Sequence, residues 1–302
     1  MSQRTAGETA HVAIIVTHYK SVPALEASLV AIRDVADPGR TEVVVADSEV
    51  QPGTEEAVRA ILPGTNFIGF ADDVGYAVSV NAGIQATSAP YVLVINADVR
   101  IAEGTVEKLV AALEADPSLG LVAPILRYDD GALQDSAFRF HRPTTILHRR
   151  TMVGGTAWGR AALRKFTEPS RVVERAIGDP EAAPVETDWV LGAAMMVRRA
   201  ALEEVGPPDT RYWMYFEDVD WCLRMWHAGC RVAVVPGAEA FHTYGRASRG
   251  KGPRALLTNQ MARVHVRSAV KFFLAHGLRP TRSPRKGPSR PWRRPAETTV
   301  GS

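Results

Sequence analysis

A chain of 302 residues with 46% hydrophobic content can bury a substantial core, and with no run near ~18 uninterrupted apolar residues it is not expected to cross a membrane. Two cysteines, Cys222 and Cys230, exclude a disulfide framework and point to buried thiols in a reducing cytoplasm; the short polar Met1–Thr9 lacks the apolar region of a secretion signal. The net charge of +3 averages two unlike parts: fourteen Lys and Arg stand against one acid, Glu297, from Ala240 to Ser302, while 22 basic and 32 acidic side chains leave residues 1–239 at −10.

Strand and helix signals alternate through the first half. His11–Thr17, Thr41–Asp47 and Tyr91–Asn96 read as short, nearly continuous apolar strands, as in a sheet covered on both faces. The first helix begins near Ser21, with Pro23 in its opening turn and Leu25, Leu29 and Ile32 on one face. Others are expected around Thr54–Leu62, Tyr76–Thr87 and Thr105–Ala115. This order predicts a largely parallel sheet with right-handed crossovers, whose ligands collect beyond the strand carboxyl ends. Thr17, His18 and Tyr19 lie at the first such end, Asp47 at the second, and Asn96 and Asp98 at the third.

The Arg-rich middle, from about His141 to Pro184, is expected as loops and short helices beside the site. Strands return at Val185–Val190 and Ala193–Val197, followed by a helix at Ala200–Val205, an acidic helix, and a strand at Arg231–Val235. Pro253 opens an amphipathic stretch that sets Leu257, Met261, Val264 and Phe273 against Arg254, Arg263, Arg267 and Lys271, suited to docking on the domain or lying on a membrane. Beyond Gly277, Pro, Ser and Arg dominate; a disordered tail is expected, solvated or drawn to an anionic surface. Trp292 is its one aromatic side chain, so it lacks the interleaved aromatics that stack on bases, and no nucleic-acid partner is expected.

The segment Tyr215 to Arg224 concentrates the chemistry. Glu217, Asp218 and Asp220 fall within four residues where apolar Trp213, Tyr215 and Phe216 run into a helix pattern ended by Gly229. The helix dipole favours acids in a first turn by only ~0.3–1 kcal/mol each, too little to explain three beside bulky aromatics. A carboxylate against apolar walls has a raised pKa, as a general base requires, whereas the plain structural alternative is a charged cap. Asp98 could hold a divalent metal that bridges two phosphates, against the plainer Asx turn at a strand end. Gly75 before a helix could let backbone N–H groups meet phosphate. His242, within His242–Ser248, reads as structural when taken alone. No Gly-x-Gly-x-x-Gly, Walker loop or Gly-x-Ser-x-Gly occurs, which disfavours dehydrogenases, P-loop enzymes and serine hydrolases.

In order, these pieces resemble the family 2 glycosyltransferases, especially the rhamnosyltransferase-like branch, from about Val12 to Ser248. The resemblance is carried by Val16-Thr17-His18-Tyr19, Val43 to Asp47, Asp73-Val74-Gly75-Tyr76-Ala77 with Asn81 to Ile84, and Asn96-Ala97-Asp98-Val99. It continues through Asp130 to Ser136, Trp189 to Ala194, Arg198-Arg199, Met214 to Asp220, and His242 with Gly245 and Ser248. It implies an α/β GT-A fold, Rossmann-like, with a mostly parallel sheet flanked by helices, and an inverting reaction. Residues 1–248 would form that domain, the nucleotide half at about 11–125 and the acceptor half at about 126–248, followed by an amphipathic helix at 249–278 and a basic tail at 279–302.

Carried over by position, Asp218 matches the catalytic base. Thr17, Tyr19, Asp47, Asp73, Gly75, Asn81, Asn96 and Asp98 fall on the donor side, with Asp47 at the base of the nucleotide. Trp189, Gly192 and Glu217 fall on the acceptor side. Asp98 and His242 match the metal site, for Mg2+ or Mn2+. The expected partners are a dTDP- or UDP-linked sugar and a glycan or polyprenyl-linked acceptor, placing the protein in the cytoplasm and at the inner face of the membrane. Three stretches depart from the branch: Ala97 where Pro is usual, which loosens the turn; Ser48-Glu49-Val50 after Asp47, which alters base recognition; and Val78 and Val80, which narrow the pocket. The competing readings are a catalytically silent sugar-nucleotide binder, for which the residues after Asp47 argue, and transfer of another sugar such as glucose, galactose or galactofuranose.

Overall fold

The computed structural model describes residues 11–179, 181–243 and 259–283. The expectations that fall on Met1–Thr9, on Gly245 and Ser248, on the start of the amphipathic stretch at Pro253, and on the tail after Ser283 lie outside the described residues.

Strands β1 (Val12–His18), β2 (Thr41–Asp47), β3 (Asn66–Gly69) and β4 (Tyr91–Asn96) run parallel in the order β3-β2-β1-β4. Between them lie α1 (Val22–Val35), α2 (Thr54–Ile61) and α3 (Tyr76–Gln85). Because successive strand residues point to opposite faces, the continuous apolar runs feed two cores. Ile14, Val16, Leu93 and Ile95 pack with Leu25, Leu29 and Ile32 of α1 on one face. Ile15, Val92 and Val94 pack with Val80 and Ile84 of α3 on the other. Val80 is fully buried there, and neither it nor the partly buried Val78 lines the cleft described below, so these valines do not narrow that pocket.

The chain then adds β5 (Val99–Ile101), α4 (Thr105–Ala115), β6 (Leu119–Arg127), β7 (Leu133–Gln134) and β8 (Ala137–Phe138). The Arg-rich middle is helical: α5 (Pro143–Arg150), a 3-10 turn at Met152–Gly155, α6 (Ala157–Phe166) and α7 (Glu168–Ala176). The expected single strand Val185–Val190 is broken into β9 (Val185–Glu186), which pairs with β12, and β10 (Trp189–Val190), which pairs with β8. After β11 (Ala194–Arg198), α8 (Arg199–Val205), α9 (Glu217–His227) and β12 (Arg231–His242), the last described helix is α10 (Gln260–His276). The main sheet continues β4-β11-β6-β12-β5, with β11 antiparallel to both neighbours and β6 parallel to β12. Pro124 lies within β6. It sits beyond the last rung to β11, at Val122, and beside a register shift in β12, where a missing N–H is tolerated.

Helix α10 docks on the domain. Phe272 is fully buried against Phe216, Ser268 donates to the Met214 carbonyl at 2.9 Å, and the His276 ring meets Asp220 at 2.7 Å. No described helix is long and apolar enough to cross a membrane. Past α10, Arg282 stacks on Trp226 at 4.5 Å and bonds Asp188 at 2.6 Å, so the first residues of the expected free tail are fastened to the domain.

Candidate active site

The parallel register sets Thr17 opposite Asn96, and the chain ends of β1 and β4 open together into a cleft of two halves. One, about 400 Å3, is lined by Thr17, His18, Tyr19, Ser48, Asp73 and Gly75. The other, about 380 Å3, takes in Arg149, Trp189, Gly192, Glu217, Asp218 and His242. Tyr76, Asn96, Asp98 and Met214 line both, so Asp98 stands where the halves meet.

The first half is organised by Asp73. Its carboxylate accepts from the Ser48 hydroxyl at 2.9 Å and the Gly75 N–H at 3.0 Å, while Ser48 accepts from the Val74 N–H at 2.9 Å. Ser48 thus forms part of the pocket wall. Gly75 has φ +78°, and a Cβ there would collide with the Trp213 carbonyl oxygen, which only glycine avoids. The Gly75 and Tyr76 N–H groups are committed to Asp73 and to the Trp213 carbonyl, so these two do not form the expected phosphate cradle. Two other expected donor-side residues sit off the lining. Asn81 donates to the Pro208 carbonyl at 3.0 Å and ties α3 to that loop. Asp47 is fully buried, its Oδ1 2.7 Å from Nδ1 of His18, and reaches the cleft only through that imidazole. Ala97 replaces the usual proline without loosening the turn, because its N–H donates to the Thr17 carbonyl at 2.9 Å, a bond proline could not make.

Strand pairing makes the second constellation. β5 runs antiparallel to β12 with Val99 opposite His242, and the Thr243 N–H closes on the Asp98 carbonyl at 2.9 Å. Nε2 of His242 consequently lies 3.5 Å from Asp98 Oδ1, while Nδ1 meets the Gln134 amide oxygen at 3.0 Å. Gln134 Oε1 can only accept, so Nδ1 is the donor there and Nε2 is the ring nitrogen that faces a carboxylate. That pairing suits a cation between the two, with Gln134 orienting the ring. The donor set therefore fits a hard divalent ion that takes its remaining ligands from phosphate and water. Among the described residues no group of three or more His, Cys, Asp and Glu could hold a metal by itself.

The third constellation opens α9. Tyr215 and Phe216 both adopt left-handed backbone, φ 66° and 71°, a conformation costing non-glycine residues roughly 1–2 kcal/mol each. Packing of Phe216 against His141, His265 and Phe272 holds the turn. Strain retained beside buried acids is characteristic of functional sites. Asp218 accepts from the Val219 N–H at 2.8 Å and the Gly192 N–H at 3.1 Å, and a Cβ on Gly192 would press to 3.2 Å of the Asp218 Cβ. Burial pushes the Asp218 carboxyl up to about 6 against the pull of those two N–H groups. Burial, then the neighbouring Asp218 charge, holds Glu217 well above the usual carboxylate range, and its Oε2 has no partner among the described residues. Asp220 is different. Burial would raise it, but Arg224 at 2.7 Å and His276 outweigh that and lower it, making it a structural anchor.

Tyr76 joins the halves by donating its hydroxyl to the Gly192 carbonyl at 2.6 Å; burial and the charges of Glu217 and Asp218 keep it protonated. Three lining residues had no sequence signal: Arg149 on α5, His141 before it, and His265 on α10. Burial, with Arg149 and His265 nearby, holds His141 well below its ordinary pKa and hence neutral. One half of the cleft thus presents polar groups and an exposed tyrosine ring, and the other two buried carboxyls, with the Asp98–His242 pair between them.

Residues 13–166 match the Glycosyl transferase family 2 profile. The chain is 30% identical over 260 residues to an N-acetylglucosaminyl-diphospho-decaprenol L-rhamnosyltransferase of Mycobacterium tuberculosis, covering 81% of this chain and 79% of that one. Among solved structures, the fold is similar to mannosyltransferase PcManGT from Pyrobaculum calidifontis in complex with GDP-Man and Mn2+, with TM-score 0.56, 20% identity, and 91% and 78% of the two chains covered. It is also similar to GalNAc-T7 with UDP, GalNAc and Mn2+, with TM-score 0.58, 12% identity and 88% of this chain covered, spanning 48% of that longer protein.

Proposed function

Because the chain belongs to glycosyltransferase family 2, we propose that it moves L-rhamnose from a dTDP- or UDP-linked donor to a hydroxyl of a polyprenyl-diphosphate-linked N-acetylglucosamine, with inversion at the anomeric carbon. The sugar and the acceptor are taken from the mycobacterial relative's activity. The observation that carries the reading is Asp218, a buried carboxylate pushed up to about 6 in the half-cleft that shares Asp98 with the other.

Thr17, Tyr19 and Asp73 hold the nucleoside, with His18 presented by Asp47 beside it. Trp189, Gly192 and Glu217 border the acceptor. Asp218 takes the proton of the acceptor hydroxyl, whose oxygen bonds to the anomeric carbon from the face opposite the diphosphate. The sugar–phosphate bond breaks, and its electron pair leaves with the nucleoside diphosphate. Neutral Glu217 can donate a hydrogen bond to the acceptor. Asp98 and His242 would hold Mg2+ or Mn2+, which supplies positive charge against the departing diphosphate. Against the silent-binder alternative stand the bond of Ser48 to Asp73 in the pocket wall and the raised carboxyl of Asp218.

The test is a donor panel with a soluble N-acetylglucosaminyl diphosphate lipid of short chain. Metal-dependent transfer of rhamnose, giving the anomer opposite to the donor's, is expected. Transfer of another sugar in its place, or no transfer from any donor, would refute the assignment.

A further inference from the structure

From His141 to Phe166 the chain holds six cations, Arg142, Arg149, Arg150, Arg160, Arg164 and Lys165, and no acid, within a body whose net charge is negative. The stretch folds into α5, the 3-10 turn and α6, packed on one another as a small head. Its outer surface is unusually apolar for an exposed one: Met152 is 86% exposed, Trp158 63%, Leu147 47% and Val153 37%. The Trp158 ring stands edge-on to His148 at 4.5 Å, which fixes its direction. On α6, Gly159 and Phe166 turn inward, leaving Trp158, Arg160, Arg164 and Lys165 on the exposed side. Among the described residues no carboxylate pairs with Arg142, Arg160, Arg164 or Lys165. Segments 244–258 and 284–302 add nine more cations against Glu297 alone, so their sequence brings the head almost no neutralising charge. Protruding apolar tips ringed by unneutralised cations are the composition that settles at the boundary of headgroups and acyl chains. The same head reaches the chemistry: Arg149 in the last turn of α5, and His141 just before that helix, line the acceptor half of the cleft.

We infer that this head is the protein's membrane-docking surface. Leu147, Met152, Val153 and Trp158 enter the boundary of an anionic bilayer, and Arg160, Arg164 and Lys165 rest on its phosphates. Docking this way sets the acceptor half of the cleft at the membrane surface, where a lipid-linked sugar is presented. The inference rests on the lipid-linked acceptor reading, and it assigns the docking contact to the head instead of the basic tail.

The experiment compares vesicles rich in phosphatidylglycerol with pure phosphatidylcholine vesicles. It uses the full chain, Met152→Ser/Trp158→Ser, Arg160→Glu/Arg164→Glu/Lys165→Glu, and a chain ending at Ser283, each first shown to melt cooperatively. The full chain should sediment with anionic vesicles only, and each head variant should lose about ten-fold or more of that partitioning. Head variants should keep transfer to the soluble acceptor within about two-fold and lose transfer to a polyprenyl acceptor embedded in vesicles. Wild-type partitioning by both head variants, no partitioning by the full chain, or loss only on removing 284–302 would overturn the inference. Turnover of neither acceptor by a protein whose vesicle binding still depends on the head counts against the proposed reaction alone.

Discussion

Asp218 and Glu217 are neighbouring carboxyls that burial holds partly protonated, and the sign of that shift reaches both rate and stability. As a general base Asp218 works ionised, so transfer should rise with pH through about 6 and level off above it. Asp218→Asn keeps the shape, cannot take the proton, and should lower turnover by ~10²–10⁴-fold with donor affinity nearly unchanged. A variant retaining a tenth of the wild-type rate removes Asp218 from the role. For stability, a raised folded pKa means that the folded state binds the proton more tightly than the unfolded chain. That contribution is present in acid and is lost as pH rises through about 6. Melting curves should therefore move in the variant's favour as pH rises through that value, although its amide offers one acceptor oxygen to the two N–H groups that the carboxylate serves with two. Asp98→Ala should weaken donor binding and its metal dependence together, and His242→Ala should do the same more mildly; titration of the nucleotide with and without Mn2+ decides both. Asp98 and Asp218 were legible in the sequence because an acid at a strand end or a helix start has a distinctive setting. His141, Arg149 and His265 were not, since a single His or Arg, whether in the irregular middle or on an amphipathic helix, carries no spacing of its own, and only tertiary packing brings them to the cleft.

The strained entry to α9 depends on α10, which packs Phe272 beneath Phe216 and holds the Met214 carbonyl through Ser268. Phe272→Ala should cost ~3–5 kcal/mol, as buried aromatic deletions do, and should depress transfer in the surviving folded protein because Phe216 and His265 lose their support. Denaturant melts paired with soluble-acceptor kinetics measure the two effects; a stability loss with turnover intact would show that α10 serves only the core. The long apolar runs and the periodic helices Thr105–Ala115 and Glu217–His227 were readable because two-sided burial and helical periodicity leave patterns. β3, β5, β7 and β8 were not, being two to four residues long and defined by their partners. β6 was not read either, and the Pro124 within it is tolerated because the rungs to β11 stop at Val122. The pairing of β5 with β12, invisible in sequence, is what delivers His242 to Asp98.

At the scale of the whole chain, Arg282 bonds Asp188 and Glu186 and stacks on Trp226, so the boundary between domain and tail falls after it. Truncation after Ser283 should leave the melting temperature unchanged. Truncation after Gly277 should lower it by roughly 1 kcal/mol's worth, a few degrees or less for a chain of this size, because these pairs are only partly buried. Equal melting of the two forms would make the Arg282 contacts inconsequential. The sharing of Tyr76, Asn96, Asp98 and Met214 by both half-clefts carries a kinetic consequence. On the proposed reading, a nucleotide diphosphate at Asp98 would form the floor on which the second substrate lands, and the acceptor's site would be whole only after the donor has arrived. Initial-rate kinetics should be compulsory-ordered, with the nucleoside diphosphate product competing against the donor and not against the acceptor. Acceptor binding of equal strength with and without nucleotide would make the order random.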